Sequence, residues 1–183
     1  VPSKTLNIAL AGTGVGKSLF MCHVASSYLT QGMNVLYITL EMAEERIAER
    51  IDANLLDVTM EDLHDMPKQL YDGKIRKLRE KTQGQLIVKE YPTASAHAGH
   101  FKSLINELAL KKSFRPDVIF IDYLNICASS RFKGGNISSY FYIKAIAEEL
   151  RGLAVEHNVP IFSATQTTRT GFVSTDIGLE DTS

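Results

Sequence analysis

Apolar positions along the chain alternate between short continuous runs and longer amphipathic stretches. Leu6-Asn7-Ile8-Ala9-Leu10 predicts a first short buried strand, followed by a glycine-rich turn over 12–16. A helical pattern then runs from Lys17 to about Thr30 and stops at Gly32, a residue suited to ending helices. Val35 to Leu40 predicts a second strand with Glu41 at its end. A charged helix follows to about Leu56, with Glu44 and Glu45 in its first turn, where the positive end of the helix dipole favours carboxylates. Residues 57–84 are polar and helix-like, opened by Thr59-x-x-Asp62 in the manner of a capping box. Leu86-Ile87-Val88 predicts a third strand, closed by Tyr91-Pro92. Phe101, Leu104, Ile105 and Leu108 share one helix face by their spacing. Val118 to Ile121 is apolar throughout, the pattern of a strand covered on both faces. Ile143, Ile146, Ala147, Leu150 and Ala154 mark another helix face, and Pro160 to Ala164 a fifth strand. Such alternation argues for an α/β fold: right-handed crossovers building a parallel sheet between two layers of helices.

Composition narrows the class. The 183 residues are 44% hydrophobic with a net charge of -1, which excludes disorder as the main state and suits one domain over 1–183. The longest apolar runs are a handful of residues, against roughly 20 for a membrane-spanning helix. Cys22 and Cys127 form no Cys-x-x-Cys pair, so a reducing, intracellular compartment is the default. With 20 basic and 21 acidic residues there is no global field for nucleic acid, and any contact with it must be local. No charged, apolar leader follows Val1, and the absent initiator Met and the abrupt end at Ser183 suggest a piece of a larger protein.

The strongest chemical signal is Ala11-Gly12-Thr13-Gly14-Val15-Gly16-Lys17-Ser18, placed after a strand and before a helix as a P-loop requires. Glycines let backbone N–H groups converge on phosphate oxygens, and the helix N-terminus adds partial positive charge. Gly12 to Gly16 would cradle the phosphates of ATP, Lys17 would reach the β- and γ-phosphates, and Ser18 would ligate Mg²⁺. Ala11 stands where the pattern usually has glycine, a mild departure. A dinucleotide reading fails, because its third glycine would fall at Lys17.

A P-loop needs an acid at the end of a second buried strand to orient the metal, and Asp122 has that position. Glu41, at another strand end, is either a general base for the water attacking the γ-phosphate or the first of several helix-start acids. Gln166 ends the fifth strand, as a hydrogen-bond partner of the γ-phosphate or as a surface amide. Arg169 is either a phosphate contact or a solvated loop charge. Arg131-Phe132-Lys133-Gly134-Gly135-Asn136, with Tyr140 and Phe141 behind it, has the cations and aromatics of a loop gripping a nucleic-acid backbone, and equally the look of a mobile surface loop. His97-x-x-His100 lacks a third ligand and reads as solvent-facing histidines at a helix start; Cys22 reads as core.

As a set, the P-loop, Leu40-Glu41-Met42, Ile121-Asp122-Tyr123-Leu124 and Ala164-Thr165-Gln166 resemble, in the same order, the RecA-like motors of the DnaB group of replicative ring helicases. Intervening stretches such as Arg50-Ile51-Asp52-Ala53-Asn54 and Ala145-Ile146-Ala147-Glu148-Glu149-Leu150-Arg151 are most similar to the T-even-type bacteriophage branch of that group. The resemblance covers nearly the whole chain. It implies a RecA-like P-loop fold with strand order 3-2-4-5-1. Lys17 and Ser18 would be the Walker A pair, Asp122 the Walker B aspartate, Glu41 the catalytic glutamate and Gln166 the γ-phosphate sensor. It also implies single-stranded DNA as partner, a homo-hexameric ring, contact with primase and other replisome proteins, and the cytoplasm of a bacterial host. The family's arginine finger and N-terminal domain would lie outside these residues, making this an ATPase core with poor hydrolysis on its own. Competing readings are a RecA-like recombinase or clock-type ATPase, a nucleotide-binding module without motor activity, and a small-molecule phosphotransferase, for which no arginine-rich lid is seen.

Overall fold

The computed structural model describes residues 1–11, 16–82, 84–132 and 139–166. Five strands, β1 (Leu6–Ala11), β2 (Val35–Thr39), β3 (Leu86–Glu90), β4 (Val118–Asp122) and β5 (Ile161–Gln166), form one sheet in the order β1-β5-β4-β2-β3. All four pairings are parallel. Read from the other edge this is 3-2-4-5-1, the expected order. Among the described residues, six helices connect the strands: α1 (Lys17–Thr30), α2 (Glu44–Leu56), α3 (Met60–Asp65), α4 (Lys68–Thr82), α5 (Ala98–Lys112) and α6 (Ser139–His157).

Period-two alternation sorts the strand side chains into two cores. Val35, Tyr37, Val118, Phe120 and Ala164 pack against Met21, Cys22, Ala25 and Leu29 of α1 and Ile47 and Ile51 of α2. Leu36, Ile38, Ile119, Ile121 and Ile161 pack on the opposite face against Phe101, Leu104, Ile105 and Leu108 of α5 and Ile146, Leu150 and Ala154 of α6. The central strands β2 and β4 are buried at every position, as continuous apolar runs require. Phe120 is the hub of the first core, stacked on Tyr37 and Phe162 at centroid distances of 5.6 and 5.2 Å and met edge-on by Tyr28 at 6.3 Å. Phe120→Ala should therefore cost about 3–5 kcal/mol through lost burial and the cavity left behind. Chemical denaturation checks this, and a loss below about 1 kcal/mol would show that the three rings close over the gap.

Three expectations need correction. β1 is not fully buried: it is the sheet edge, and Ile8 and Leu10, which alternate onto one face, are 42% and 50% exposed. Pro160 is outside β5, having no N–H for a ladder, while Thr165 and Gln166 belong to the strand. Leu40 leaves β2 but still donates its N–H to the Asp122 carbonyl at 3.0 Å. The polar stretch 57–84 is helical as expected, in two helices, because Pro67 forces Met66 into an extended conformation (φ -71°, ψ 131°) and ends α3 there. Thr59 does cap α3, accepting the Asp62 N–H at 3.0 Å. No helix of the described residues is long and apolar enough to cross a membrane.

Candidate active site

The register dictates which side chains meet. Ala11 pairs with Gln166, so the end of β1, where the glycine-rich turn begins, lies beside the end of β5. Thr39 pairs with Asp122, which brings Glu41, two residues further on, next to the end of β4. Glu41, Asp122, Gln166 and the start of α1 thus gather at the carboxyl ends of the strands, the edge where parallel α/β sheets bind ligands.

Each element has a local reason for its place. Gly16 adopts φ +40° as it turns into α1, a left-handed conformation that a side chain would strain. The Thr39 hydroxyl donates to the Met42 carbonyl at 2.8 Å and accepts the Met42 N–H at 3.1 Å. That double contact closes the short turn carrying Glu41. Glu90, at the end of β3, accepts the Glu44 N–H at 3.2 Å and supplies a carboxylate to the N-terminus of α2.

Lys17 and Ser18, the first two residues of α1, face the two acids. The Lys17 ammonium is 2.8 Å from Glu41 Oε2 and 3.9 Å from Asp122 Oδ1, and lies 4.2 Å from the centroid of the Tyr123 ring. The Ser18 hydroxyl donates to Asp122 Oδ2 at 2.7 Å, and the Tyr37 hydroxyl donates to the same oxygen at 3.0 Å. Asp122 is wholly buried. Its Oδ1 has no hydrogen-bond partner among the described residues; 3.9 Å to Lys17 is an ion-pair distance only. A buried carboxylate oxygen left unpaired is costly unless a further positive group approaches it. A serine hydroxyl and one carboxylate at this spacing fit Mg²⁺, which keeps several waters and takes its remaining oxygens from substrate phosphates. No group of three or more His, Cys, Asp or Glu among the described residues is arranged to hold a metal, so the alternative of an all-protein metal cage has no support there.

Burial, and after it the Asp122 charge, pushes the Tyr37 hydroxyl well above its usual range, which keeps its proton available for donation. Tyr123 is raised by burial, then by Glu41 and Asp122. The Cys22 thiol, 3.9 Å from the Tyr37 hydroxyl, is pushed up to about 11, chiefly by burial. It is core, as expected.

Gln166 is half-buried at the end of β5, and its N–H donates to Asn125 Oδ1 at 3.1 Å. The same oxygen accepts the Thr165 hydroxyl at 3.0 Å. Asn125 sits in a short 3-10 turn, Leu124–Ile126, directly after Tyr123, and so ties the ends of β4 and β5 together. Gly12, Thr13, Gly14, Val15 and Arg169 lie outside the described residues, as do Lys133 to Asn136. Arg131 pairs with Glu148 of α6 at 2.7 Å, and the preceding Ser129 and Ser130 are held by Glu149 and by Tyr142. His97 and His100 form a reciprocal cap at the start of α5, and among the described residues no third metal ligand joins them.

The sequence alone singles out neither Tyr37 nor Asn125, and it shows Tyr123 only as part of Ile121-Asp122-Tyr123-Leu124, with no role of its own. Tyr37 had a faint signal, the one polar tip in the run Val35-Leu36-Tyr37-Ile38. A cavity of about 780 Å³ lies elsewhere, between α2, α4 and β3, lined by Ala48, Leu55, Ile75 and Leu78. We place the chemistry at the strand ends nonetheless, because a phosphate cradle is an open turn of N–H groups and needs no enclosed cavity.

Residues 2–174 match the family described as DnaB-like helicase C terminal domain. The chain is 51% identical over 180 residues to the DnaB-like replicative helicase of Enterobacteria phage T4, covering 97% of this chain and 38% of that protein. It is 33% identical over 167 residues to a "Probable plasmid replicative DNA helicase" of Chlamydia trachomatis serovar L2, covering 88% of this chain and 35% of that one. Among solved structures, one described as an ATPase domain superposes with a TM-score of 0.74 at 18% identity, over 99% of this chain and 64% of that one. A DnaB-like replicative helicase, described together with its interactions with primase, superposes at 0.72 and 17% identity, over 97% and 42%. These structures share the fold. The chain spans less than two fifths of the length of the curated relatives quoted. With the family matched over nearly all of its length and the acids gathered at the strand ends, the chain belongs to the DnaB-like helicase C-terminal domain family.

Proposed function

We propose that this chain is the ATP-hydrolysing motor core of a replicative DNA helicase. The observation that carries the reading is the joint placement of Lys17, Ser18, Glu41 and Asp122 in one contact network at the strand ends. Gly12 to Gly16 and the N-terminus of α1 bind the phosphates, and Lys17 adds a point charge to them. Ser18 and Asp122 would hold Mg²⁺, which would supply positive charge to neutralise the phosphate oxygens. Glu41, on its closed turn beside Lys17, accepts a proton from the attacking water. Gln166 senses the γ-phosphate from the end of β5, with Arg169 as a further phosphate contact. The protein works as a homo-hexameric ring on single-stranded DNA in the cytoplasm of a bacterial host, with primase among its partners. A recombinase, a clock-type ATPase or a module without motor activity is less well supported, since the family match is to helicases and both Lys17 and Glu41 are present.

The test is strand separation on a forked duplex by the full-length protein. Unwinding with ATP and none with a non-hydrolysable analogue is expected; no unwinding under either condition would overturn the motor reading. A second test concerns the loop at 131–136. Arg131 pairs with Glu148, an ion pair that a phosphate contact would have to replace, and Lys133 is the other cation of the loop. Replacing both by Ala should weaken single-strand binding and flatten its salt dependence by a slope of up to about 1.4, since each phosphate neutralised on a single strand contributes about 0.7. Equal salt slopes for parent and variant would return the loop to a plain surface role.

A further inference from the structure

We propose that Tyr37 is a positioning residue for the metal-binding carboxylate of Asp122, its hydroxyl holding Oδ2 so that Oδ1 is left for the cation. The inference rests on the reading of Asp122 and Ser18 as the Mg²⁺ site, and adds a residue that the P-loop pattern does not contain. Its origin is the register of two neighbouring strands. Thr39 lies opposite Asp122 and Tyr37 opposite Phe120, so Tyr37 and Asp122 are diagonal neighbours on one sheet face. A tyrosine is long enough to cover that diagonal, and the Tyr37 hydroxyl reaches Oδ2 at 3.0 Å.

The surroundings leave the hydroxyl little freedom. Tyr37 and Asp122 are both wholly buried, so no bulk water competes for the bond. The Tyr37 ring is fixed by its stack on Phe120, at 5.6 Å and only 10° from parallel. The Cys22 thiol donates weakly to the hydroxyl oxygen from α1, at 3.9 Å, so the remaining direction for the hydroxyl proton is towards Asp122. Two hydroxyls, Ser18 and Tyr37, thus converge on Oδ2, while Oδ1 faces Lys17 without a hydrogen bond. Ser18 alone would fix one oxygen of the carboxylate but leave its plane free to tilt about the last torsion. The second donor on the same oxygen, from another direction, narrows that tilt and with it the direction in which Oδ1 points. Outer-shell hydrogen bonds of this kind orient metal-binding carboxylates, and losing one typically lowers metal affinity by about 10–100-fold.

The test is made on the full-length protein, by titrating Mg²⁺ against binding of a fluorescent ATP analogue, with thermal unfolding as the check on folding. Tyr37→Phe removes the hydroxyl and keeps the stacked ring. It should leave nucleotide affinity in the absence of Mg²⁺ unchanged and raise the Mg²⁺ concentration for half-maximal tightening by about tenfold or more. Tyr37→Leu removes the ring as well and should lower thermal stability further, yet shift the Mg²⁺ midpoint by a similar factor. A merely structural tyrosine behaves otherwise: the midpoint stays put in Tyr37→Phe, or moves only in the less stable Leu variant. Either outcome overturns the proposal. Asp122→Asn separates the two readings. If it shifts the midpoint and Tyr37→Phe does not, Tyr37 has no positioning role; if Asp122→Asn also leaves the midpoint unchanged, the metal site itself is wrong and the proposal falls with it.

Discussion

Lys17→Ala should weaken binding of Mg·ATP by roughly 10²-fold or more while the protein stays folded. Two charge-assisted contacts to phosphate are worth about 1.5–3 kcal/mol each, and every 1.4 kcal/mol is about tenfold in affinity. Part of that gain is already offset, because the ammonium must leave Glu41 at 2.8 Å to serve a phosphate. The lower end of the range is therefore the expected one for the missing attraction. A second effect adds to it: without Lys17, the Glu41 and Asp122 carboxylates face the incoming phosphates with no cation between them. The fold survives because buried Asp122 keeps its two hydroxyl donors, Ser18 and Tyr37. Isothermal titration of the full-length variant, paired with its melting curve, checks both halves. Unchanged nucleotide affinity in a folded variant would remove Lys17 from the site.

Glu41→Gln should keep nucleotide binding and lower turnover by roughly 10²-fold or more, the usual cost of losing a general base. The geometry also gives a sign to the binding change. Glu41 is the carboxylate in direct contact with Lys17, and an amide holds an ammonium less tightly than a carboxylate does. The variant should therefore bind ATP as tightly as the parent or slightly more so. Single-turnover hydrolysis by the full-length protein with single-stranded DNA present separates the two quantities. A rate near the parent's would make Glu41 one more acid at the start of α2, beside Glu44 and Glu45.

Much of this site was legible in the sequence for a physical reason. Strands buried on both faces appear as uninterrupted apolar runs, so a polar residue at the end of such a run is conspicuous. Asp122 after Val118 to Ile121 announces itself in this way, whereas Glu41 after Val35 to Leu40 does so less clearly, because Thr39 interrupts the run and Glu44 and Glu45 follow close behind. The strand order was a different matter: it came from the resemblance, not from any local pattern. What stayed hidden depends on which strands are neighbours and on their register. Tyr37 looks like one more large β-former until Thr39 is paired with Asp122. Asn125 looks like a loop residue until β5 is laid beside β4, when its amide oxygen meets Thr165 and Gln166. The exposure of β1 was missed for the same kind of reason, since Ile8 and Leu10 have the apolar character of buried positions and only their place at the sheet edge leaves them open. The Lys17–Glu41 contact joins residues 24 positions apart, on α1 and on the turn after β2, and no local pattern encodes it.

The central claim is that the strand-end acids and Lys17 hydrolyse ATP in the service of movement along DNA. Steady-state ATP hydrolysis by the full-length protein, measured with and without single-stranded DNA, tests it most directly. The account predicts Mg²⁺-dependent hydrolysis that rises when single-stranded DNA is added and is lost in Glu41→Gln. Hydrolysis that ignores DNA, or that persists in Glu41→Gln, would contradict it.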